Sequence, residues 1–184
     1  MTAQPITEAS MELKILTNEE KALYREDIIA LLTESDEDFL PPLSKRGSPK
    51  DNSFSQNAKN PSGVLSYYTA MNAQPILAAL ADGSVLGFVS FSENYEGGEK
   101  PNIYISTLVV SKAARGQGLT AKMYDHLFNV AFPDRPFYTR TWSTNAAHTK
   151  ILSRFCFSEI KRIENDRGQG IDTIYFEKPA ARSH

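Results

Sequence analysis

One stretch constrains the fold more than any other: Leu108–Leu127, "LVVSKAARGQGLTAKMYDHL". With the preceding "NIYIST" it begins as a run rich in β-branched residues and apolar at nearly every position toward its end, as in a central strand buried on both faces. From Leu119 the apolar residues Leu119, Met123, Leu127 and Val130 recur at helical spacing. A buried strand that enters an amphipathic helix through a glycine turn sets Arg115–Thr120 at a helix N-terminus. There, unpaired N–H groups and the positive end of the helix dipole face the same way, and glycine removes the side chain that would block a phosphate.

The tetrapeptide RGQG occurs a second time, at residues 167–170, between "SEIKRIEN" and "IDTIYFEK". Both flanks alternate like strands, so Gly168 or Gly170 is expected to supply the positive φ of a hairpin turn and Arg167 to point into solvent. No helix start follows this copy, and it carries no anion site. Taken alone, even the first "GQG" is weak. It lacks the Gly-Lys-Ser/Thr ending of a nucleotide P-loop and is not a full G-x-G-x-x-G fingerprint.

The rest of the chain reads as a mixed α/β (α+β) domain over residues 11–179, after a polar lead-in at 1–10. "MELKIL" alternates as a strand, and Asn18 is placed to cap a helix whose buried stripe is Leu23, Ile28, Leu31 and Leu32. Residues 33–63 lack periodicity, and a connection that long is functional or disordered. A short helix in "GVLSYYTAMNA" leads to two strands around Asp82–Gly83, and past "PDRP" come the strand "FYTRTWS" and the helix "NAAHTKILSRF". The 184 residues carry 20 Lys+Arg against 22 Asp+Glu, which gives no global field for nucleic acid or an anionic membrane. The first ten residues lack a signal-peptide pattern, so the chain is expected to be soluble and cytoplasmic. The lone Cys156 is expected to be buried and inert, and three histidines without ligand spacing suggest no metal site.

"STLVVSKAARGQGLTAKMYDHLFNVA" resembles the acetyl-CoA-binding motif of the GNAT superfamily of N-acetyltransferases, in which a strand ending L-x-V is followed by R-x-x-G-x-G/A opening a helix. Leu108 and Val110, then Arg115, Gly118 and Thr120, hold those places. "TNAAHTKILSRFCF" resembles the family's second landmark, with Asn145 opening a helix and Phe157 in the closing Gly-Phe position. The resemblance implies a single GNAT-like domain with a central mixed, mostly antiparallel twisted sheet flanked by helices, and acetyl-CoA as cofactor. It also implies that Arg115, Gly116, Gln117, Gly118, Leu119 and Thr120 hold the pyrophosphate, that Leu108, Val109 and Val110 align the pantetheine arm, and that Asn145 hydrogen-bonds to it. Three departures stand out: Thr120 and Cys156 replace small residues of the pattern, and Leu152 stands where many members have the tyrosine that protonates the leaving thiolate.

The acceptor implied is a primary amine on a small molecule or a protein. An amine of pKa about 10 must lose a proton before it attacks, yet the sequence singles out no base. Tyr104, His148 and Ser153 are weak catalytic candidates, and Ser106 and Glu93 are further side chains that could reach the cleft. Glu34, Asp36, Glu37 and Asp38 could attract a cationic amine between walls from Phe39, Tyr67 and Tyr68, or be a solvated acidic run. Lys45 and Arg46 could meet an anionic part of the acceptor or the coenzyme's ribose phosphate. Which face of the Arg140/Trp142 strand is core is not readable. A non-catalytic acyl-CoA sensor and a different nucleotide or phosphate binder stay open as alternatives, and the assembly is expected to be a monomer or homodimer.

Overall fold

The computed structural model describes residues 11–49 and 63–181. The lead-in at 1–10 and residues 50–62 of the long segment lie outside them. Among the described residues seven strands form: β1 (Met11–Ile15), β2 (Ile76–Ala81), β3 (Ser84–Glu93), β4 (Ile103–Val110), β5 (Phe137–Trp142), β6 (Ser158–Ile163) and β7 (Thr173–Lys178). The helices are α1 (Asn18–Leu23), α2 (Arg25–Glu34), α3 (Gly63–Asn72), α4 (Leu119–His126) and α5 (Ala146–Arg154). The strands make one sheet in the order β1-β2-β3-β4-β5-β7-β6. Every pairing is antiparallel except β4 with β5, so the expected mixed, mostly antiparallel α/β architecture is the one found. The β2–β3 turn falls at Asp82–Gly83, both with positive φ, as hairpin twist requires.

Each face of the sheet has its own core. Leu77, Val89, Ile105 and Phe137 pack with Met123, Tyr124 and Leu127 of α4 and Leu152 of α5. On the other face Ile76, Ala78, Phe88 and Val109 meet Ile28 and Leu32 of α2 and Tyr67 and Met71 of α3. β4, the strand read as buried on both sides, lies between these layers. Among the described residues no helix is long and apolar enough to cross a membrane, and no group of three His, Cys, Asp or Glu is placed to hold a metal.

Several local expectations shift. Thr17, not Asn18, is the N-cap: its hydroxyl accepts from Glu20 N while the Glu20 carboxylate accepts from Thr17 N, a capping box. The single first helix is two, because the helical path breaks at Tyr24, and that change of phase turns Leu23 outward to 73% exposure. Val130 is likewise exposed, since α4 runs into a π-helical turn, Leu127–Ala131, whose wider winding shifts the face. Cys156 is exposed rather than buried: it ends α5 with φ 62°, the left-handed position glycine usually fills, and this backbone carries its side chain away from the core.

Candidate active-site cleft

The cleft follows from an incomplete parallel pair. β4 and β5 are paired only over Ile103–Ile105 against Phe137–Thr139. Past that point they diverge: β4 keeps β3 as its neighbour and β5 keeps β7. A bulge at Ser106 helps β4 bend away. The opening is a cleft of about 450 Å³, lined along one side by Ile105–Val110 and along the other by Thr139–Trp142.

Main-chain polarity in the opening can be phased. Ser111 N donates to Leu86 O, so Val109 and Thr107, facing Phe88 and Ser90 in register, direct their main-chain groups to β3. Leu108 and Val110 direct theirs into the opening. The Val110 carbonyl is taken by Arg115 Nε at 3.1 Å. What remains is a short, unpaired strand edge facing a gap, which an extended ligand arm could complete.

The glycine turn sits at the mouth of this cleft. Gly116 and Gly118 have φ 77° and 76°, and a Cβ on either would meet nothing within 4 Å. The glycines are therefore needed for backbone conformation and leave open space above the loop. Gly118 is the N-cap of α4, so the N–H groups of Leu119 and Thr120 lie in its first turn without intrahelical acceptors. The Arg115 guanidinium turns aside, to Asp38 Oδ2 at 2.7 Å and Ser35 Oγ at 3.3 Å, tying the end of α2 to the end of β4.

That contact also accounts for part of the acidic run. Asp36 accepts from Ser44 N and Oγ, Glu34 accepts from Lys112 N, and Asp38 holds Arg115. These carboxylates are engaged in tying the fold together. Tyr67 is fully buried with its hydroxyl 2.7 Å from Thr107 Oγ1, and Tyr68 is buried under Arg25. Neither lines the cleft, whereas Phe39 does.

The catalytic candidates separate. His148 lines the cleft, with Nε2 2.8 Å from the buried Tyr124 hydroxyl; burial lowers the imidazole to about 4, so it is neutral at pH 7. Asn145 caps α5 by accepting from His148 N, and its Nδ2 donates to Thr141 Oγ1 at 3.1 Å. Leu152 is fully buried in the core. Ser153 is exposed and donates to Thr149 O, and it is not among the cleft residues. Tyr104 lies behind the wall against Tyr95, and burial drives its phenol well above the usual range. Ser106 does line the cleft, bonded to Gln74 and Ser90, while Glu93 pairs with Arg135 at the surface.

β5 resolves the face that sequence left open. Thr139 and Thr141 are buried at 2% and 1% exposure, and Arg140 and Trp142 face the cleft. The second RGQG brings a correction. Gly168 and Gly170 do reverse the chain with positive φ, but Arg167 is 3% exposed and points inward. It lies 5.3 Å over the Trp142 ring, donates to Thr173 Oγ1 at 2.9 Å and to Leu40 O, and lines the cleft. The connection from residue 164 to 172 is much longer than a two-residue hairpin, long enough to fold one side chain back; that length was the legible signal. The Tyr124–His148 contact spans two helices and had none.

Comparisons with known proteins agree with this fold. A sequence profile described as "Acetyltransferase (GNAT) family" matches residues 33–152. No curated protein sequence matches the chain significantly. Solved structures share the fold at low identity. An N-acetyltransferase from Staphylococcus aureus superposes with TM-score 0.60 and 18% identity, covering 92% of this chain and 98% of its own. A ribosomal-protein-alanine N-acetyltransferase from Brucella melitensis gives 0.60 and 18%, with coverage of 91% and 99%. A proposed acetyltransferase from Salmonella typhimurium, solved with acetyl-CoA as its cofactor, gives 0.60 and 16%, with coverage of 95% and 96%.

Proposed function

The chain belongs to the GNAT family of acetyltransferases, and from that premise we propose that it moves the acetyl group of acetyl-CoA to a primary amine by direct attack. The observation that carries this reading is the gap between β4 and β5, with the glycine-started helix α4 at its mouth. An anionic end needs the helix start, and an extended arm needs the strand edge; the cleft has both.

In this reading the pyrophosphate lies on the N–H groups around Gln117–Thr120. The pantetheine runs along Leu108–Val110 like an added strand, with Asn145 beside it, using the acceptor capacity its cap bond leaves. A main-chain N–H of Leu108 or Val110 faces the acetyl oxygen and stabilises the negative charge that develops there. The neutral amine attacks the thioester carbon, so a C–N bond forms as the C–S bond breaks. The proton lost by nitrogen goes to water, and the departing thiolate takes one back from water. Neutral His148 can offer the thiolate an N–H hydrogen bond but is not charged to act as a strong acid. Most of the acceleration then comes from holding the two reactants together.

The second reading, acyl-CoA binding without turnover, draws on Leu152, an aliphatic residue sealed in the core where many members carry a tyrosine. Thiol release from acetyl-CoA over a panel of amines decides between them. The transferase reading expects amine-dependent release of coenzyme A with stoichiometric N-acetyl product. Tight acetyl-CoA binding with no release from any amine would leave the sensor.

A further inference from the structure

The cleft contains more positive charge than acetyl transfer requires. Arg46, Arg140 and Arg167 come from three separate segments and all line it. Arg46 and Arg167 are 7% and 3% exposed. Arg46 Nε donates to Pro41 O at 2.9 Å, Arg140 Nη2 to Pro49 O at 2.9 Å, and Arg167 Nε to Thr173 Oγ1. Aromatic rings back two of them, Phe39 under Arg46 at 5.6 Å and Trp142 under Arg167 at 5.3 Å, and the two rings lie 6.1 Å apart.

Among the described residues, neither Arg140 nor Arg167 has a carboxylate at ion-pair distance. The acid that bears on Arg167 is Asp166, and its Oδ2 accepts from Thr173 Oγ1 at 2.6 Å instead. Burial first, then the nearby Arg46 and Arg140, pull the Arg167 guanidinium down to about 10. Its cationic neighbours are thus close enough to repel it. Gathering like charges in a poorly solvated recess is unfavourable unless an anion joins them.

We propose that this recess is a carboxylate subsite and that the acceptor is a small amine bearing its own carboxylate, as a free amino acid does. The inference rests on the transferase reading above. Arg140 and Arg167 hold the oxyanion, and Arg46 adds to the field around it. A lysine of a folded protein would instead need an acidic collar, and Glu34, Asp36 and Asp38 are already engaged by Lys112, Ser44 and Arg115. The same cations disfavour the protonated form of an amine held beside them, which helps deliver the neutral nucleophile in a cleft whose lining carboxylate among the described residues, Asp38, is held by Arg115.

The test follows coenzyme A release at saturating acetyl-CoA over free amino acids, their carboxamides and simple alkylamines. For the best amino acid, kcat/KM should exceed that of its own carboxamide by roughly 100-fold, as expected when a buried charge pair loses one partner. In Arg140→Gln that ratio should fall about tenfold or more while coenzyme A affinity stays within about threefold. Arg167→Gln should behave alike; because Arg167 also ties the β6–β7 connection to Leu40, its melting temperature is read alongside, and Arg140→Gln carries the test if it unfolds. Equal or faster turnover of carboxamides or alkylamines overturns the subsite while leaving the transferase reading intact. Loss of coenzyme A affinity in Arg140→Gln, but not of dephospho-coenzyme A affinity, would assign the arginines to the coenzyme and also overturn it. If no amine releases coenzyme A, the transferase reading fails by itself. Calorimetry of the same amino acids and carboxamides on the coenzyme A complex then still tests the subsite: preferential binding of the free acid supports it and indifference refutes it.

Discussion

Replacing His148 with a residue that does not titrate should flatten the acid limb of this protein's stability. The ring lines the cleft on one edge and meets the buried Tyr124 hydroxyl at 2.8 Å on the other, and burial lowers it from 6.5 to about 4. The folded state favours the neutral ring, so between those values the unfolded chain holds the extra proton. The resulting stability is complete above pH about 6.5, is lost as pH falls toward about 4, and changes no further below that. At about 1.4 kcal/mol for each pH unit the gap sets a ceiling of about 3.5 kcal/mol, and partial access of the ring to the cleft brings the expectation to about 2 kcal/mol. Urea unfolding of wild type and His148→Gln at about pH 7.5 and about pH 4.5 measures it, since carboxylate effects common to both cancel in the comparison. Wild type should lose about 2 kcal/mol more than the variant across that interval. Equal losses, or an NMR titration that places His148 near 6.5, would refute the claim that the His148–Tyr124 contact holds a neutral imidazole.

Two further substitutions test how the cleft is built. A Cβ at Gly87 would stand 2.8 Å from Val109 O and 3.2 Å from Val110 Cγ2, so Gly87→Ala must push β3 and β4 apart; a loss of about 1–3 kcal/mol in urea unfolding is expected, with weaker coenzyme A binding because β4 carries the cleft edge. Thr17→Ala removes a capping box far from the cleft, and should cost about 1 kcal/mol of stability with coenzyme A affinity unchanged in calorimetry.

What was legible in the sequence was the part that local chemistry decides. The run Ile103–Val110, the glycine turn and the spacing of Leu119, Met123 and Leu127 each declare their structure within a few residues, and together they place the helix start beside a central strand. The Asp82–Gly83 turn was readable for the same reason. Tertiary placement was not. Arg167 shares its tetrapeptide context with Arg115, yet the long β6–β7 connection folds its side chain under Trp142 while Arg115 turns to Asp38. Cys156 was expected in the core because it follows an amphipathic helix among phenylalanines; a left-handed helix end overrides that pattern. The face of β5 was ambiguous because Thr139 and Thr141 alternate with Arg140 and Trp142; the threonines are the buried set, with Thr139 Oγ1 donating to Ile105 O and Thr141 Oγ1 accepting from Asn145 Nδ2, contacts that exist only once the sheet is assembled. The acidic run read either as a lure for a cationic amine or as a solvated surface, and neither reading foresaw that Asp36, Glu34 and Asp38 find partners at Ser44, Lys112 and Arg115.

The central claim is that the first glycine turn, not the second, receives the coenzyme, and the two copies supply their own control. Gly118 and Gly170 have φ 76° and 77°, and a Cβ on either meets nothing within 4 Å. Valine at the two positions therefore imposes the same backbone strain, and any difference reports the ligand. Isothermal calorimetry of coenzyme A with Gly118→Val and Gly170→Val is the most direct measurement. Affinity should fall at least about tenfold, about 1.4 kcal/mol, in the first and stay within about twofold in the second. Equal losses at both positions, or full affinity in Gly118→Val, would contradict the assignment of the site.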